Sequence, residues 1–193
     1  MKKIADKEYG GERPLYVESD LELERVTIHV GESSLKETSN ITARDCRFEG
    51  KYVFWETKSF CVTDSYFAES ARSSLWYSTD GQLKNCIVDA PKMFRSMCGI
   101  RLDNCTFNNG QEMMWFCKNI HLAHCAVNDA DYFGLHSSDA ELENWKHNGN
   151  YIFQYGENIV IRNSLLNSKD ALWDTRDVTV IDSVINGEYL GWY

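Results

Sequence analysis

Four side chains in this chain of 193 residues could do acid–base work if the fold gathered them: Arg95, His136, Tyr155 and Asp174. A carboxylate within hydrogen-bond reach of a His or Arg is what proton transfer requires. A second set could bind rather than react. Trp55, Trp76, Trp115 and Trp173 recur at one phase of a roughly 20-residue period, with Arg95 and Gln154 standing in the same column. Amphipathic aromatics in a row offer flat faces to a ligand or partner. The same column serves packing equally well, because aromatics on neighbouring rungs also stabilise one another.

The period itself is carried by a polar corner residue followed by a small residue, a free position and an apolar one. Asp45-Cys46-Arg47-Phe48, Asn85-Cys86-Ile87-Val88, Asn104-Cys105-Thr106-Phe107 and Asp182-Ser183-Val184-Ile185 are examples. From Asp45 to Asp182 the successive spacings are 19, 21, 19, 20, 20, 19 and 19, and Arg25 fits one coil earlier. A period that regular predicts a wound chain, each turn burying an apolar face on the next. Positions four and two before the corner are apolar (Ile41/Ala43, Phe60/Val62, Ile100/Leu102, Ile159/Ile161) with polar residues between them. That alternation is a strand with one buried face.

After the corner the alternation restarts with a shifted phase, so a second strand follows. Further polar columns (Asp89, Asn108, Asn128, Asn148, Asn167; and Asp20, Asn40, Asp80, Asn119, Asp139) mark other corners. Asn and Asp tolerate left-handed backbone and bond nearby backbone groups. Three corners and three short strands per turn describe a triangular prism. Hexapeptide subperiods are absent, and no helical period separates the strands, which excludes a left-handed prism and a leucine-rich repeat. The expected fold is all-β: a single-stranded right-handed parallel β-helix of about nine coils. Residues 1–20 are expected as a lead-in and cap, and 21–193 as the helix proper.

On this register the tryptophan column lies nine residues before each corner: Tyr16, Lys36, Trp55, Trp76, Arg95, Trp115, Leu135, Gln154, Trp173 and, by extrapolation, Trp192. The preceding column (Leu35, Phe54, Leu75, Phe94, Met114, Phe153) points inward, so the tryptophans point out. One position later come Glu56, Tyr77, Phe116, His136, Tyr155, Asp174 and Tyr193. Asp174 is two rungs from His136 at ~5 Å per rung, a spacing that suits a solvated edge better than a catalytic pair. Trp55, Trp76, Arg95, Trp115, His136, Tyr155, Trp173 and Asp174 are therefore the candidate ligand-binding residues, and none is assigned a catalytic role.

Composition narrows the partners. A formal charge of −9 disfavours nucleic-acid phosphate and anionic membrane. No stretch approaches the ~18 apolar residues of a membrane span, and Met1-Lys2-Lys3-Ile4 has no apolar run behind it to make a signal peptide. Seven cysteines, four of them (Cys46, Cys86, Cys105, Cys125) in one inward column, suit small buried hydrophobes in a reducing cytosol. No C-x-x-C occurs, Asp129, Asp131 and Asp139 sit at corners, and His147 lies on another wall from His121 and His124 of one coil, so neither metal nor cofactor is expected. Trp145 replaces the column's Cys or Ser and predicts local repacking.

The run Ile41 to Trp55 (ITARDCRFEGKYVFW), Ser74 to Tyr77 (SLWY) and Asn163 to Tyr193 (ending GEYLGWY) resembles the bacterial domain-of-unknown-function family 3737. The resemblance implies pectate-lyase-like right-handed β-helices without a signal peptide, and it supplies no reaction. It also implies a C-terminal end cut short, because members continue past the equivalent of Tyr193. The Asp-Asp pair and Gly-His-Gly of sugar-cleaving polygalacturonases are both missing. The sequence thus predicts a cytoplasmic, non-catalytic scaffold or binding module, self-associating through its last coil or its aromatic face. A carbohydrate-binding or carbohydrate-cleaving protein using the tryptophan face is the alternative.

Overall fold

A computed structural model describes residues 1–192; Tyr193, and with it the expectation that Tyr193 continues the outer column, lies outside the described residues. No helix occurs among the described residues, and none is long and apolar enough to cross a membrane. Two ten-stranded parallel sheets form two walls of a prism. The first runs from Lys2–Ala5 to Arg176–Ile181 and the second from Glu8–Glu12 to Val184–Asn186. Each strand pairs with its counterparts one coil away, as in Ile41↔Phe60, Phe60↔Gly81 and Ile100↔Ile120.

Residues 1–20 are not a lead-in. Lys2–Ala5 pairs with Ser19–Glu24, and Glu8–Glu12 pairs with Thr27–Glu32, so this stretch is itself a coil of the solenoid. An ion-pair net fastens it: Lys3 Nζ lies 2.6 Å from Glu24, Arg25 holds Asp6 at 2.7 Å and also Glu24, and Arg44 reaches Glu24 at 2.9 Å. Hydrogen bonds from Lys3 and then Arg25 pull the Glu24 carboxyl down to about 2.

The third wall differs from the strand expected there. Among the described residues only Leu75–Trp76 and Phe94–Arg95 form strands on it, as a two-stranded sheet that Trp115 extends by one bridge. Elsewhere it is a run of turns, still laddered to the next coil by bonds such as Phe54 N to Ser74 O at 2.8 Å and Ser96 N to Trp115 O at 2.8 Å. The reason lies in the backbone. Each coil has a fourth left-handed position beyond the expected corners, at residues such as Tyr52, Ser73, Lys92, Glu112, Tyr132 and Tyr151, with φ between 52° and 62°. A left-handed residue every four or so positions (Tyr52 then Glu56; Tyr132 then His136) cannot belong to a strand.

The interior is mostly apolar, and Phe48, Phe54, Phe60 and Phe67 pack in it at ring separations of 4.7 to 6.4 Å. Gly81 breaks the apolar column because a Cβ there would stand 2.2 Å from the Phe60 ring. The Cys/Ser column faces inward as expected, but it is more than hydrophobic filling. Cys46, Ser65, Cys86, Cys105, Cys125 and Ser164 each donate to the carbonyl two residues before, at 2.6 to 3.3 Å. Ser65 Oγ, Cys125 Sγ and Ser164 Oγ also accept the backbone N–H of the previous coil's column residue, at 3.0, 3.2 and 3.0 Å. The sharp corner opens the ladder, and a small polar side chain closes it. All seven cysteines are free thiols.

Trp145 repacks its coil as its size demands. It is fully buried, and Phe133 gathers it at 5.4 Å, His147 at 5.5 Å and Phe153 at 5.6 Å. Gly134 makes the room, since a Cβ there would meet Phe153 at 2.5 Å. His147 is buried too: its Nε2 lies 3.1 Å from the Gly149 carbonyl while Nδ1 has no partner.

Candidate functional site

The third wall carries the candidate site, and its turns explain the geometry. Tyr77, Phe116, Tyr132 and Tyr155 stand at left-handed positions of this wall and are between 41 and 51 % exposed. In the column one before Tyr77, Phe116 and Tyr155, which lies flatter, Trp76 and Trp115 are half-buried and Gln154 is buried.

That flatter column is a stack along the solenoid axis. Trp55 and Trp76 have ring centres 5.3 Å apart. The Arg95 guanidinium sits 4.2 Å from the Trp76 ring and 4.6 Å from that of Trp115. Arg95 is thus no interruption of the stripe: it fills its rung as a cation between two indoles, an arrangement worth about 0.5–2 kcal/mol. Glu112 balances it at 3.5 Å and also holds Lys92 at 2.9 Å. The indole N–H groups are engaged as well, Trp76 donating to the Lys92 carbonyl at 2.6 Å and Trp115 to that of Tyr132 at 2.7 Å. From Trp55 to Arg95 the faces are largely occupied by one another, which assigns this segment to packing.

Beyond Trp115 the wall opens. Phe116, His136 and Tyr155 stack in parallel at 5.2 and 4.8 Å, and Tyr132 stacks on Tyr151 at 4.7 Å. Between these two aromatic rails Trp115, Leu135 and Gln154 form a floor, with Glu112 at one end. The depression has a volume of about 330 Å³. Of the predicted residues, it gathers Trp115, His136 and Tyr155, and Trp55, Trp76 and Arg95 adjoin it through the stack. Trp173 and Asp174 do not line it. The His136 ring lies between two rings, its backbone N–H donates to the Gln154 carbonyl at 2.9 Å, and Asp174 is two rungs away. That is a stacking histidine.

Tyr132, Tyr151 and Glu112 escaped the sequence reading although their signal was present. Tyr52, Ser73, Lys92, Glu112, Tyr132 and Tyr151 all stand twelve positions before the next corner. Gln154 registered only as a break in the stripe.

Elsewhere the chemistry is muted. Burial pushes the Cys117 thiol up to about 12 and raises that of Cys46, so neither is a thiolate nucleophile near neutrality. His29 lies between Glu8 at 2.9 Å and Glu49 at 3.3 Å, and the bond to Glu8 most of all raises its pKa, on an exposed surface. Among the described residues no group of three or more His, Cys, Asp or Glu could hold a metal.

These features define a right-handed parallel β-helix with one aromatic wall. The chain belongs to the DUF3737 family, described as proteins of unknown function, whose model matches residues 2–193. A search of curated proteins gives no match. Among solved structures the fold is similar to the A-module of the Azotobacter vinelandii mannuronan C-5 epimerase AlgE6, at 10 % identity and a TM-score of 0.50, covering 95 % of this chain and 74 % of that one. The AlgE4 A-module of the same organism gives 9 % identity and a TM-score of 0.37 over 100 % of this chain and 88 % of that one. At such identity the AlgE6 likeness is one of fold alone.

Proposed function

We propose that the protein is a non-catalytic binding module whose recognition surface is the aromatic third wall, centred on the depression floored by Trp115, Leu135 and Gln154. The observation that carries this reading is the pair of parallel aromatic rails flanking an open floor, a shape no packing requirement demands. Seven free thiols, most of them buried, support a reducing cytosolic setting. The alternative, an enzyme acting on carbohydrate as the epimerase named above does, needs a carboxylate free to move protons beside the ligand. Glu112, the carboxylate at the depression, is engaged by Lys92 and Arg95. That favours holding over turnover.

Glycan and peptide arrays probed with wild type and with Trp115→Ala test the module. Trp115 anchors the floor, so its loss should weaken a captured ligand by about 2 kcal/mol, roughly 30-fold, with the ligand recovered unchanged. Sedimentation of both forms separates ligand capture from self-association through the same face. If neither array binds and both forms are monomeric, the wall is packing only.

A further inference from the structure

Gln154 stands out on the wall. Its residue is only 8 % exposed, yet its side-chain amide makes no hydrogen bond to the protein, and what opening it has is into the depression. The amide therefore meets only solvent at the floor, where it can offer both a donor and an acceptor to a ligand group. Around it, the phenol hydroxyls of Tyr132 and Tyr155 are likewise unbonded to protein, while Trp115 and Leu135 supply an apolar base.

The charge pattern narrows the ligand further. Glu112 is already paired with Lys92 and Arg95, so a cation finds no free carboxylate at this floor. A polyanion meets a chain of formal charge −9. What remains is a neutral ring with hydroxyls at its edge and C–H groups on its faces. The ~4.8 Å rise between coils is also close to the length of one 1,4-linked pyranose unit, so a linear chain can advance about one unit per rung along the rails.

Building on the binding-module reading, we propose that the depression is a subsite for a neutral pyranose residue. The Gln154 amide takes a pair of adjacent hydroxyls, and Trp115 with the Tyr155 and Tyr132 edges takes the ring.

The test is calorimetric titration of the full chain with cellohexaose, mannohexaose and N-acetylchitohexaose, against hexamannuronate as the anionic control. At least one neutral hexamer should bind more tightly than the mannuronate. Gln154→Leu should weaken that binding at least tenfold while the melting temperature holds, because the amide makes no hydrogen bond to the protein. A Gln154 with a structural role would instead lose melting temperature. Preference for hexamannuronate, neutral binding untouched by Gln154→Leu, or no binding of any neutral hexamer would overturn the assignment. Capture of a peptide from the array, abolished by Trp115→Ala, would overturn it while leaving the binding module standing.

Discussion

Lowering the pH from 6.5 to 4 should cost the folded protein about 3 kcal/mol through one residue, His147. Burial among Phe133, Trp145 and their neighbours pulls its pKa down to about 4 from the ordinary 6.5. The folded chain therefore keeps the imidazole neutral where the unfolded chain already binds the proton. Stability is full above pH 6.5, falls as pH drops toward 4, and levels below that. Glu24 works in a different window: its lowered pKa makes its contribution present above 4.5 and lost only as pH falls through about 2. His147→Leu, which copies Leu166 at the paired position of the next coil, should remove the slope between pH 6.5 and 4. Urea midpoints of both forms at pH 7 and pH 4 measure it. Equal losses in the two forms would show that His147 is not the group responsible.

The second large effect contrasts two neighbours in the chain. Phe54 is fully buried with rings of Phe48 and Phe60 at 5.3 and 5.2 Å, and truncation to Ala should cost about 3–5 kcal/mol. Trp55, the larger residue, lies on the outer wall, and Trp55→Ala should cost only about 1 kcal/mol, the worth of its stacking on Trp76. Denaturant titration of the two variants decides it. A costlier Trp55→Ala would mean that the wall, rather than the interior, holds the coils together.

That inside and outside can be assigned for Phe54 and Trp55 from sequence follows from period and alternation, which report burial directly. The same signals are blind to backbone handedness at residues that are neither Gly nor Asn. Tyr52, Glu112 and Tyr132 adopt left-handed backbone without a compositional hint, so the third wall read as a strand where it is a series of turns. The Cys/Ser column read as small hydrophobes because a sequence does not reveal which carbonyl and N–H a corner leaves open. The aromatic column was visible, but its division into a self-stacked segment and an open floor depends on ring orientation. Arg95 looked like a gap when it is a filling, and Gln154 looked like a gap when it is the floor's one amide.

The corner asparagines have a direction. Many donate their side-chain N–H to the corner residue one coil earlier: Asn85 to Asp64 at 2.9 Å and Asn104 to Asn85 at 2.9 Å, Asn108 to Asp89 at 2.7 Å, Asn158 to Asp139 at 2.8 Å, and Asn40 to Asp20. Aspartate stands only at the head of these chains, because an ionised carboxylate accepts and has nothing to pass backward. The solenoid is therefore written with a grammar, asparagine as the continuing letter and aspartate as the initial one. A coil carrying asparagine can be duplicated in place and still both receive and give. A coil carrying aspartate receives without giving, so a new chain begins wherever it falls, as at Asp64 one coil after Asp45.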